Sequence, residues 1–132
     1  MHLRQVEQML PNGFHDAYLG RFEQDFVRRE VKLYLDLLMG NDDEPAQQRY
    51  QRAKLTLSQC ALVALEPAVC YREIKPARGL WLGETQLKEN EYTAIRDAGF
   101  KIPDENFWLA LFVYDWNSRV VINAADASLE FL

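Results

Sequence analysis

By residue type, the adjacent His15 and Asp16 are the pair in this chain best suited to chemistry. An imidazole beside a carboxylate can serve as a general base or help to hold a metal. Their spacing argues against a shared ligand pair. Phe14 onwards reads as a strand, and neighbouring strand residues point to opposite faces. A metal would need two or three further ligands, and the only other histidine is His2. We expect His15 and Asp16 to bond to backbone at the entry to the first strand, or to offer polar contacts to a partner. No metal site is expected.

Nucleophilic catalysis has less support. The three serines, Ser58, Ser118 and Ser128, fall on a strand, in a tight turn and near the C-terminus, and none lies in the GxSxG setting that exposes an activated hydroxyl. Cys60 and Cys70 are separated by nine residues, which matches neither a CxxC pair nor a zinc knuckle. Both sit in apolar company, where burial raises a thiol pKa, so they read as buried free thiols. The carboxylates Asp25, Asp36, Asp115 and Asp126 lie on or beside expected strands and read as solvent-facing positions. There is no GxGxxG motif or P-loop, so neither a nucleotide nor another cofactor is expected.

Aromatic residues give a different signal. Trp108, Phe112, Tyr114 and Trp116 share a parity and form a stripe along one face of a strand. Core packing accounts for most such stripes. The remainder are recognition surfaces, because Trp and Tyr combine a large contact area with a hydrogen-bonding tip. The candidate binding residues are therefore His15, Asp16, Asp36, Trp108, Tyr114, Asp115 and Trp116, with no catalytic residue among them.

The elements that must position these residues are mostly strands. Leu3, Val6 and Leu10 are spaced for a short helix that Pro11-Asn12-Gly13 stops. A first strand follows from Phe14, with Gly20 at a change of phase that suggests a β-bulge. Residues 27–30 form a hairpin connection, and Val31, Leu33, Leu35, Leu37 and Met39 alternate with Lys32, Tyr34, Asp36 and Leu38 as a half-buried strand. Gly40 to Pro45 reads as a solvated loop. Ala53 to Leu65 favours one long strand, although its Ala and Leu content leaves a helix open over residues 57–66. Pro67, Pro76, Gly79 and Gly83 leave room only for short strands such as Leu80-Trp81-Leu82. Residues 90–98 suit a helix capped by Asn90 and ended by Gly99. Phe107 to Tyr114 is apolar throughout, as in a strand covered on both faces, and residues 119–123 return as its hairpin partner. The expected fold is mainly β (α+β), an antiparallel five- or six-stranded curved sheet or sandwich with one or two short helices.

The 132 residues carry 15 basic and 20 acidic side chains, a formal charge of −5, which disfavours nucleic-acid binding. No shift in composition divides the chain, so residues 1–132 read as a single domain. The opening residues lack the apolar run of a secretory signal and no segment is long enough to span a membrane as a helix, so the expected location is cytoplasmic.

Two segments carry a family resemblance. Leu10-Pro11-Asn12-Gly13-Phe14-His15-Asp16-Ala17, and Phe112-Val113-Tyr114-Asp115-Trp116-Asn117-Ser118 followed by Ala124-Ala125, resemble a loose group of small uncharacterised bacterial β-rich proteins. That group includes immunity proteins of polymorphic toxin systems. The resemblance does not extend to residues 84–104. It implies a small cytoplasmic protein that binds and blocks a toxin, and it brings no catalytic residues with it. Residues 104–132 hold five acidic groups and one basic group, a charge that would speed encounter with a basic partner protein. The expected function is thus a non-enzymatic binding domain, an immunity-type inhibitor. The alternatives are a carrier holding a small apolar ligand between Trp81, Trp108 and Trp116, and a hydrolase built on His15. An exposed edge strand would suit a homodimer.

Overall fold

The computed structural model describes residues 1–40, 49–68 and 79–132. Most of the expected loop at Gly40 to Pro45, the Cys70 thiol and Pro76 lie outside the described residues.

Helix α1, Leu3–Gln8, is held by a reciprocal cap in which His2 Nδ1 accepts the Arg4 N–H and the His2 N–H donates to Gln5 Oε1. Leu3, Val6 and Leu10 are buried with Phe14 in the core. The first strand, β1, spans Tyr18–Asp25 and starts later than the Phe14 expected. The intervening residues form turns instead: the Ala17 N–H donates to Phe14 O at 3.2 Å, and Asp16 takes a left-handed φ of 58°. The bulge at Gly20 is present as a register shift between Leu19 and Arg21. It lets Leu19 and Phe22, of opposite parity, both pack toward the core.

The remaining elements are β2 (Glu30–Leu38), β3 (Tyr50–Ser58), β4 (Leu62–Leu65), β5 (Leu80–Glu84), α2 (Glu89–Asp97), β6 (Phe107–Val113), β7 (Ser118–Ala124) and β8 (Asp126–Phe131). Eight strands are present among the described residues rather than five or six. The run expected as one strand from Ala53 to Leu65 bends at residues 59–61, where Gln59 has φ 52°, and residues 126–131 add a strand that was not expected. Helix α2 begins after Lys88, not after Asn90. Among the described residues no helix is long and apolar enough to cross a membrane.

All pairings are antiparallel, in the order β4-β7-β6-β5-β1-β2-β3-β8. In the chain, β3 runs into β4 and β7 runs into β8, so each end strand continues one that lies near the opposite end. The ladder ending at Ser58↔Asp126 resumes at Leu62↔Asn123. A flat sheet cannot meet this constraint, and the sheet rolls around one core. Val31, Leu33, Leu35 and Leu37 face inward, as do Leu55, Leu57, Leu109, Leu111, Val113 and Ile122. The connection between the two halves is short: β1 meets β5 only at Tyr18↔Trp81 and Leu19↔Leu80.

Candidate functional site

That short junction is where the expected polar residues converge. The turn before β1 is stitched to β5 because the Asp16 N–H donates to Leu82 O at 3.1 Å and the Leu82 N–H donates to Ala17 O at 2.8 Å. The left-handed backbone at Asp16 brings its carboxylate against β5, where Oδ1 accepts the indole N–H of Trp81 at 2.9 Å. Asp16 Oδ2 lies 3.3 Å from His15 Nε2. His15 and Asp16 thus meet, contrary to the expectation from strand alternation, because they occupy a turn and not a strand.

The other side of Trp81 is held by the β6–β7 turn. Asp115 Oδ2 accepts the Trp81 N–H at 2.7 Å, and the Tyr114 N–H donates to Trp81 O at 3.0 Å. The Tyr114 ring packs on the indole with centroids 4.4 Å apart and planes tilted by 38°. Gly83 makes room for this, since a Cβ there would collide with the Tyr114 ring. Trp81 nevertheless remains 39% exposed. Its indole is held by the Asp16 carboxylate and packed on by Tyr114, its backbone N–H is held by Asp115, and the residue stays part-exposed.

His15, Asp16, Tyr114 and Asp115 therefore gather around one residue. Asp36 lies one strand away: Tyr18, opposite Trp81, is also opposite Asp36, which pairs across to Arg52 at 3.9 Å. The aromatic stripe divides. Trp108 and Phe112 alternate with the buried Leu109, Leu111 and Val113, so they lie on the outer face of β6, whereas Trp116 packs against the core. Trp108 meets Tyr92 of α2 edge-on at 5.4 Å. Beside it, Arg119 binds Glu66 and Glu91 together, and these bonds hold the Glu91 carboxyl down to about 2 and that of Glu66 below its usual range.

Three of the five acidic residues of the C-terminal segment already have partners. Asp115 serves Trp81, Asp126 pairs with the N-terminal ammonium, and Glu130 pairs with Lys54 at 3.0 Å. Asp25 caps the β1–β2 turn by accepting the Val27 and Arg28 N–H groups. Cys60 is buried, its thiol donating to Leu57 O at 3.5 Å, and burial pushes that thiol up. Among the described residues no group of three or more His, Cys, Asp and Glu side chains is arranged to hold a metal.

A second feature escaped the sequence reading. A half-open groove of about 510 Å³ lies between α1, the turn after it and the end of β5, beside β6. Its lining includes Glu7, Glu84, Asn12, Gln86 and Trp108, and among the described residues no basic one. Glu84 Oε1 accepts the Phe14 N–H at 2.8 Å. Burial, and then the charge of Glu84, raise the Glu7 carboxyl above its ordinary range. Of Trp81, Trp108 and Trp116, only Trp108 lines this groove, which is polar where an apolar carrier would be greasy. The signal available was helical spacing, which puts Glu7 on the same side of α1 as the apolar Leu3 and Leu10.

Comparison of the chain with protein-family models, with curated proteins and with solved structures finds no match.

Proposed function

We propose that this chain is a non-enzymatic binding domain that captures a basic partner protein at the Trp81 surface, in the manner of an immunity-type inhibitor of a toxin. The observation that carries the reading is Trp81, part-exposed, with its indole held by Asp16 and Tyr114 and its backbone N–H by Asp115. An aromatic side chain that is already ordered loses little entropy on binding, and such residues dominate interface energetics. The flanking carboxylates suit an arginine or lysine laid over the rings, where cation–π and ionic attraction act together. The formal charge of −5 favours the same class of partner through steering.

The reading is tested by examining the genes beside that of this chain for a small basic protein, co-expressing the two and measuring the affinity of the complex. Trp81→Ala is expected to weaken binding by about 2 kcal/mol or more, and Trp81→Phe by less, with association slowing as salt rises. A complex of unchanged affinity in Trp81→Ala, or one indifferent to salt, would overturn it.

A further inference from the structure

The groove beside α1 contains an interrupted sheet edge. In the β5–β6 ladder the Tyr114 N–H donates to Trp81 O at 3.0 Å and the Thr85 N–H donates to Ala110 O at 3.3 Å. Even-numbered residues of β6 therefore turn their backbone groups toward β5, as antiparallel alternation requires. Strand β5 ends at Glu84, opposite Leu111, and the chain then leaves toward α2. Trp108, the next even-numbered residue along β6, thus presents its N–H and C=O to the groove with no strand opposite.

The groove is also acidic. Glu7 and Glu84 face it from two different elements; among the described residues neither forms an ion pair and no basic side chain lines the groove, although His2 and Arg4 partly offset the charge of Glu7. Two carboxylates near each other repel, and a cation placed between them removes that repulsion. An open strand edge supplies main-chain affinity, and the side chains flanking it supply selectivity.

We infer that this groove receives an extended basic segment of the partner protein, which adds a short strand to β6 at Trp108 and places a lysine or arginine between Glu7 and Glu84. The inference deepens the reading of a basic partner and rests on it. The charge requirement rules out an acidic segment, and the unpaired edge distinguishes a peptide from a free amine, which would satisfy the carboxylates but not the backbone.

The probe is a capped peptide, acetyl-Lys-Val-Lys-Val-Lys-amide, titrated into isotope-labelled protein. Three controls accompany it: its glutamate counterpart, a version N-methylated at the central lysine, and lysine amide alone. The lysine peptide is expected to shift the backbone resonances of Trp108, Thr85 and Gln86. Glu7→Gln with Glu84→Gln is expected to weaken binding about tenfold, the loss of two partly exposed ion pairs. Glutamine at position 84 keeps an acceptor for the Phe14 N–H, so the fold is retained. N-methylation is expected to weaken binding by a similar factor while leaving the charge unchanged.

The inference is overturned by an absence of shifts at these residues, by equal binding of the glutamate or N-methylated peptide, or by lysine amide reproducing the shifts. Its failure is separable from failure of the Trp81 reading. If Trp81→Ala abolishes the partner complex while the groove variants leave it intact, the groove plays no part and the Trp81 surface stands. If the groove variants alone break it, the groove stands and the Trp81 surface does not.

Discussion

Asp16 and Trp81 are 65 residues apart in the chain and joined by an indole N–H···carboxylate bond of 2.9 Å. The bond spans the narrowest part of the sheet, where β1 and β5 share only two residue pairs. It depends on a backbone conformation that few residues tolerate, since Asp16 has φ 58°. Asparagine is comfortable there and retains a carbonyl acceptor. Asp16→Asn is therefore expected to keep nearly all of the stability. Asp16→Ala loses both the bond and the left-handed preference and is expected to cost about 1–2 kcal/mol by denaturant unfolding. Equal stability of the two variants would show that the bond does not bridge the junction in solution.

Stability at acid pH follows from Arg119. Its bonds hold the Glu91 carboxyl down to about 2 and depress that of Glu66. A carboxyl whose pKa falls on folding contributes stability that is complete above its unfolded value, near 4.5, and is lost as pH falls through the folded value. The melting temperature should thus decline between pH 4.5 and about 2. The gap between wild type and Glu91→Gln should be widest above that window and close toward its lower end. A gap that is constant with pH would mean that Glu91 does not ion-pair with Arg119.

Glu7 has the opposite sign. Its carboxyl is raised by burial and by Glu84, so ionisation at neutral pH opposes folding. This penalty is absent below the unfolded value of about 4.5 and grows as pH rises through the folded value. Glu7→Gln is expected to stabilise the protein at pH 7 by on the order of 0.5 kcal/mol and to have no effect near pH 4. Destabilisation at pH 7 would indicate that a cation already compensates the pair.

The strands were legible where one periodicity held without interruption. Val31 to Leu37 alternates cleanly because one face is core and the other is outer surface, and Gly20 marked the bulge because nothing else explains a phase change between Leu19 and Phe22. What the sequence hid was nonlocal. The bend at Gln59 carries no glycine or proline, so Ala53 to Leu65 reads as a single strand, and β8 has only Ala127 and Leu129 turned toward the core and thus little apolar signal. His15, Asp16, Tyr114 and Asp115 were identifiable singly from their chemistry. Their meeting at Trp81 depends on which strands pair, which local periodicity does not encode. The groove was harder still, because Glu7 and Glu84 are ordinary surface acids until α1 and the end of β5 are brought together.

Gly83 allows the Trp81 surface to be tested without altering any residue that would touch a partner. It lies on β5 two positions beyond Trp81, and a methyl group there would collide with the hydroxyl and ring of Tyr114. The backbone at Gly83 is not left-handed, so Gly83→Ala introduces crowding without dihedral strain. The ring must then swing away from the indole, costing about 1–3 kcal/mol through overpacking. If the order of the Trp81 ring is what makes it a recognition residue, Gly83→Ala should weaken partner binding while the indole, Asp16 and Asp115 all remain. The Tyr114→Ala, Gly83→Ala double variant separates the two effects: it relieves the crowding, so stability should partly return, but binding should not. Recovery of both would mean that Tyr114 only fills space, and that Trp81 needs no support to hold a partner.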